Sequence, residues 1–62
     1  MTYYLSLTDA ANLPDGPLRR EVMAAHNACL NVWAMWGWRS AYWGAIERWH
    51  WWRAGRIARQ EQ

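Results

Sequence analysis

Two pairs of side chains in this sequence have the types and the spacing of metal ligands on a helix. Glu47 and His50 have the Glu-x-x-His spacing that places a carboxylate and an imidazole on one helical face. His26 and Cys29 repeat that spacing in the preceding half of the chain. If the two halves fold back on each other, the pairs face each other with ligand types that zinc accepts. A shift of the turn by two residues removes this match, so we expect no metal and keep these four residues as a weak alternative.

Other catalytic chemistry finds little support in the sequence. A di-iron bundle site also needs a Glu from each facing helix. A turn centred on Trp38 places the remaining candidate, Glu21, opposite Gly55, about 12 Å from the layer of Glu47 at 1.5 Å per residue. Ser6 and Ser40 have no base and orienting acid arranged around them, and the glycines form no phosphate loop. We therefore expect no enzymatic activity and no cofactor.

The length and composition bound the fold. The 62 residues form at most one domain, 1–62, and a chain this short buries only about 60% of its unfolded surface, so a lone monomer is marginally stable. Charged residues make up 19% of the chain, hydrophobic residues 53%, and seven residues are Trp. Because disordered chains have few aromatic residues and high net charge, this chain is expected to fold, alone or on a partner.

Apolar periodicity predicts two helices. The sequence has apolar residues at intervals of 4, 3, 4, 3 and 4, namely Leu18, Val22, Ala25, Cys29, Val32 and Trp36. This heptad-like seam, with Pro17 at the start, predicts a helix over 17–36. Ser40 is a suitable cap for a second helix over 40–59, after a tight turn at Gly37–Arg39. The alternative is one continuous helix of about 40 residues, since a glycine within a helix costs only about 1 kcal/mol.

The first sixteen residues are predicted to be an arm and a loop. Thr2–Leu7 alternates loosely between the two sides of an extended segment, and Thr8–Gly16 has the composition of a loop, with one helical turn at Asp9–Asn12 as an option. The predicted fold is thus an all-α two-helix hairpin, 17–62, with a short extended N-terminal arm. We expect oligomerisation or a partner to complete it.

The tryptophans indicate an interaction surface. On the second helix, residues at helical spacing form two stripes that include tryptophans. One stripe consists of Trp43, Ile46, His50 and Ile57. The other consists of Trp38, Tyr42, Ala45, Trp49 and Trp52. Two helices share one interface, which cannot enclose seven indoles, so some are exposed or covered by something else. A monomer with tryptophan as core filler is the alternative.

The favoured function is a non-catalytic protein–protein interaction module. It would self-associate or dock its Trp-rich helix onto a larger protein, as an accessory subunit or an inhibitor. The expected partner-binding residues are Trp33, Trp36, Trp43, Trp49, Trp51, Trp52, Arg48, Arg53 and Arg56. Among these, Trp43, Trp49 and Trp52 are the expected anchors, and the arginines would contact carboxylates of the partner.

Two other partners and a location follow from composition. A membrane is an alternative, at the interface or as a single span, because residues 24–46 are largely apolar but interrupted by Arg39. Nucleic acid ranks lower: an Arg-rich face is present, but the N-terminal arm has no basic residue to reach bases. One cysteine, Cys29, and no recognisable signal peptide favour the cytoplasm, with membrane association as the alternative.

Overall fold

The two longest helices of the chain pack against each other as a hairpin. The computed structural model describes residues 3–60, in which helix α1 is Leu7–Ala11, α2 is Pro17–Ala34 and α3 is Trp38–Gln60. Residues 3–60 contain no β-strand. The chain is therefore predominantly helical, and α2 and α3 correspond to the two predicted helices.

The turn of the hairpin lies two residues earlier than predicted. The N–H group of Met35 donates to the carbonyl oxygen of Asn31 (3.0 Å), and the backbone then becomes extended. Gly37 follows with φ of +66°, a conformation that favours glycine because it has no Cβ. Ser40, predicted as a cap, lies inside α3 and its hydroxyl donates to the carbonyl oxygen of Val32 (3.0 Å). The single continuous helix is therefore wrong, because this turn reverses the chain.

The N-terminal segment includes a short helix that the sequence pattern indicated only as one optional turn. Leu7, predicted to end an extended arm, instead begins α1, because the Ser6 hydroxyl accepts a hydrogen bond from the N–H group of Asp9 (3.2 Å) and caps the helix. Residues 3–6 lie outside the helices. Thr2, at the start of the predicted arm, lies outside the described residues. Pro17 begins α2, as predicted.

The core is built around one indole among small side chains. Trp51 of α3 is 5% exposed and packs with buried Ala10, Val22, Ala25 and Ala54. The aromatic residue fits because its neighbours on α1 and α2 are mostly alanines, which let the helices approach closely.

The predicted apolar seam of α2 is only partly buried. Val22 and Ala25 are buried, whereas Cys29 and Val32 are partly buried. Trp36, the last member, is 88% exposed. Because α2 ends at Ala34, Trp36 no longer follows the helical period, and its predicted place in the seam is wrong.

Candidate interaction surface

The outward face of α3 has a continuous row of exposed side chains, here called the outer stripe. Its members are spaced by 4, 3, 4 and 3 residues, and all are exposed: Trp38, Tyr42, Ala45, Trp49 and Trp52. This spacing keeps side chains on one side of a helix. The buried residues of α3, Trp51, Ala54 and Gly55, belong to the face that packs on the rest of the chain. Helix α3 thus has one packed apolar face and a second, uncovered one.

Each indole of the outer stripe has an arginine over its ring. The guanidinium carbon lies 4.7 to 5.6 Å from the ring centroid in the pairs Arg39–Trp38, Arg53–Trp49 and Arg56–Trp52. Such cation–π contacts stabilise the side-chain positions modestly, by about 0.5–1 kcal/mol at exposed sites. Because a stacked guanidinium still has N–H groups at its edge, the stripe combines apolar ring surface with hydrogen-bond donors.

A polar clamp between α2 and α3 positions part of this stripe. Glu21 of α2 accepts at Oε2 from Nδ1 of His50 (2.8 Å) and pairs through Oε1 with Nη2 of Arg53 (3.2 Å). The Glu21 side chain is only 14% exposed, so water screens these contacts weakly. Since Arg53 also lies over Trp49, the clamp connects the helix pairing to the outer stripe.

Sequence reasoning missed this clamp because it placed the turn too late. A turn at Trp38 put Glu21 opposite Gly55, whereas the observed turn brings it beside His50 and Arg53. A signal was present: His50 and Arg53 are three residues apart on one helical face, and Glu21 lies on the facing helix.

Trp51 is a core residue, contrary to its predicted place in the partner-binding surface. Its Nε1–H donates to Oε2 of Glu47 (3.2 Å), and its ring lies 4.9 Å from the Tyr4 ring and 5.2 Å from the His26 ring, centroid to centroid. Of the other predicted tryptophans, Trp43 is partly buried. The remaining predicted members are exposed: Trp33, Trp36, Trp49, Trp52, Arg48, Arg53 and Arg56.

Three of the four residues considered as zinc ligands lie in other interactions. Nε2 of His26 is 2.7 Å from the carbonyl oxygen of Leu5, His50 contacts Glu21, and Glu47 accepts from Trp51. Cys29 is a free, partly buried thiol. Within residues 3–60, no group of three or more His, Cys, Asp or Glu side chains is arranged to hold a metal ion.

A groove runs beside the outer stripe. It has a volume of about 610 Å³ and lies between the N-terminal Tyr3 and Tyr4 and one side of α3, where it shares Trp52 with the stripe. Gly44 contributes no side chain to its lining, and a Cβ there would meet no atom within 4 Å. Arg48 also lines it. The groove is large enough to receive a bulky side chain from a molecule packed on the stripe.

A second exposed apolar group, here called the tip cluster, surrounds the hairpin turn. It consists of Leu30 and Trp33 from the last turns of α2, and Met35 and Trp36 from the turn itself. Trp33 is 84% exposed and Trp36 is 88% exposed. The tip cluster adjoins the outer stripe at Trp38, which is 74% exposed.

The chain exposes more surface than a compact monomer of its mass. Its accessible area is 4858 Å², whereas folded monomers of 7.4 kDa expose about 4,200 Å². This excess accords with the elongated shape, 38 × 21 × 17 Å, and with the exposed aromatic side chains.

Compared with known proteins, the chain matches no family model, no curated protein and no solved structure. Nor does any helix within residues 3–60 have both the length and the apolar character needed to cross a bilayer.

Proposed function

We propose that the chain is a non-catalytic protein–protein interaction module that self-associates by packing the outer stripes of two copies against each other. The observation that carries this proposal is the exposed aromatic row at heptad-like spacing on a helix whose other face is already packed. A helix that is apolar on two sides is typically covered on both. Ala45, between Tyr42 and Trp49, leaves a gap in the row into which a ring of the second copy fits.

The area available predicts a weak dimer. The four aromatic side chains of the stripe, each about half to three-quarters exposed, offer on the order of 100–200 Å² apiece. Their sum is roughly 500 Å² per copy, below the approximately 800 Å² of a standard interface. Interfaces below about 1,200 Å² in total are typical of weak, transient complexes, so we expect a dissociation constant on the order of 1–100 μM.

Charge modulates this association. Arg39, Arg53 and Arg56 lie on the rings of the stripe, so two copies bring like charges together. The carboxylate of Glu21 compensates Arg53 within each copy. The remaining repulsion acts between exposed cations, which salt screens readily. Ring burial therefore provides the attraction, and charge sets how it responds to ionic strength.

A crossed pair of double variants tests the proposal. We expect Trp49→Ala/Trp52→Ala to be monomeric at concentrations where the unaltered chain is dimeric, because about half of the aromatic area of the stripe is lost. Trp33→Ala/Trp36→Ala removes the same residue types from the tip cluster and is the matched control; it should remain dimeric. Light scattering across a size-exclusion column measures the molar mass, and circular dichroism verifies that each variant is folded.

Two results would overturn this assignment. One is an unchanged molar mass for the stripe variant. The other is dissociation by the tip variant alone, since that would place self-association at the hairpin turn instead of along α3.

A further inference from the structure

We propose that the tip cluster binds the headgroup region of a lipid bilayer, with the turn between α2 and α3 inserted and the rest of the hairpin in water. The proposal concerns Leu30, Trp33, Met35 and Trp36, a set that shares no residue with the outer stripe. The outer stripe begins beside it at Trp38, so the two proposals concern adjacent surfaces and are tested with separate variants.

The first observation is a separation of charge along the hairpin. Between Glu21 and Glu47, the sequence has one charged residue, Arg39. These 25 positions include the end of α2, the turn and the beginning of α3, which together form the tip half of the hairpin. Asp15 directly precedes α2 and therefore lies at the opposite end, whereas Asp9 lies on α1, whose Ala10 packs with Val22 and Ala25 of α2. The turn and the adjoining ends of α2 and α3, residues 22–46, thus have a single charged residue, and it is a cation.

The second observation is the depth that this uncharged end provides. At 1.5 Å per residue, Glu47 lies about 14 Å along α3 from its first residue, and Glu21 lies about 20 Å from the last residue of α2. Helices at a membrane interface bury their apolar surface about 5–10 Å deep. Insertion of the tip to that depth therefore leaves both carboxylates in water.

The residue types fit this location. Tryptophan is enriched where hydrocarbon meets headgroups, because its ring is apolar and its N–H group needs a polar partner. Trp33 and Trp36 are the two most exposed large hydrophobic residues described. The guanidinium carbon of Arg39 lies 5.6 Å from the Trp38 ring centroid, beside the tip cluster, where its N–H groups are available to lipid phosphates.

Other occupants fit the tip less well. Nucleic acid binding depends on several cations, and the tip has one. A protein partner is less favoured because the tip cluster has one charged neighbour, Arg39, with which to form complementary charge contacts. A bilayer interface needs no such rim and no matching shape.

Vesicle flotation tests this inference with the same two double variants, their roles exchanged. The probe is a vesicle of phosphatidylcholine with phosphatidylglycerol as the minor component. We expect the unaltered chain to float with the vesicles. Trp33→Ala/Trp36→Ala should bind them more weakly by a factor of roughly ten or more. Trp49→Ala/Trp52→Ala should float like the unaltered chain. Phospholipids brominated near the headgroup should quench the emission of the unaltered chain and quench the tip variant much less.

Three outcomes would overturn the inference: no flotation of the unaltered chain, equal flotation of the tip variant, or loss of flotation only in the stripe variant. Self-association is measured without lipid, so a result that contradicts the proposed dimer can be told apart from a result that contradicts the lipid site. A chain that dimerises but does not float would contradict only the lipid site. A chain that floats but remains monomeric would contradict only the proposed function.

Discussion

The guanidinium group of Arg53 lies over the ring of Trp49, 4.7 Å from its centroid, and the same group binds the carboxylate of Glu21 at 3.2 Å. One side chain thus connects the packing of α2 on α3 with the exposed row on the far side of α3. The core beside α3 consists largely of alanines, which fix the rotation of the helix about its axis only weakly. The polar contact with Glu21 therefore helps to fix this rotation, and with it the direction of the outer stripe.

Glu21→Gln should lower the free energy of unfolding by about 1–2 kcal/mol, since it removes the charge from a hydrogen bond with His50 and an ion pair with Arg53, both partly shielded from water. Urea denaturation followed by circular dichroism measures the change. Asp15→Asn makes the same chemical change at an exposed loop position and should stay within about 0.5 kcal/mol of the unaltered chain. Equal stability of the two variants would show that the clamp does not hold the helices together.

Trp51→Ala should destabilise the fold by about 3–5 kcal/mol, enough to unfold a domain this small, because it removes the one large side chain at the centre of the core. Its neighbour Trp52 is 55% exposed, so Trp52→Ala should cost less than about 1 kcal/mol. Thermal unfolding at concentrations where the chain is monomeric compares the two. If both variants lost similar stability, Trp51 would not be the centre of the core.

Gly44→Ala and Gly55→Ala should differ, although both lie within α3. Alanine at position 44 meets no atom within 4 Å and should gain about 0.5–1 kcal/mol from helix propensity. At position 55, the new Cβ would come within 3.0 Å of the Tyr3 Cβ, so the N-terminal segment must move and the gain should be cancelled. Denaturant unfolding of both variants measures this difference, and an equal gain in stability would contradict the close approach of Tyr3 to α3.

Added salt should leave the self-association unchanged or strengthen it, because it screens repulsion between the arginines of two copies and leaves ring burial intact. Sedimentation equilibrium at low and at physiological ionic strength measures this dependence. Association that weakens as salt rises would instead indicate that the arginines meet an anionic surface, as they would on an acidic protein or a nucleic acid.

The helical hairpin could be predicted from the sequence because residues of α2 that are apolar at helical spacing are also buried in the structure. Val22 and Ala25, two consecutive members of the predicted seam, are both buried. The outer stripe was also visible as a spacing of Trp and Tyr on the second helix. That the stripe is exposed could be known only from the structure, since the spacing of apolar residues does not tell which of two apolar stripes faces the partner helix.

The errors have one main origin, the position of the turn. Gly37 was read as the start of the turn, but it is its last residue, and this displacement changes which residues face each other across the hairpin. The contact of Glu21 with His50 was therefore missed. Trp36 was placed in the apolar seam of α2, although this helix ends at Ala34. The burial of Trp51 depends on the arrival of Tyr4 and α1 beside it, which local spacing cannot indicate.

The most direct test of self-association along α3 is the molar mass of the unaltered chain in detergent-free buffer, measured by light scattering across a series of concentrations from about 1 μM to about 1 mM. Self-association along α3 predicts a single transition from the 7.4 kDa chain to twice that mass, with a midpoint on the order of 1–100 μM. A chain that remains at 7.4 kDa throughout the series would contradict it.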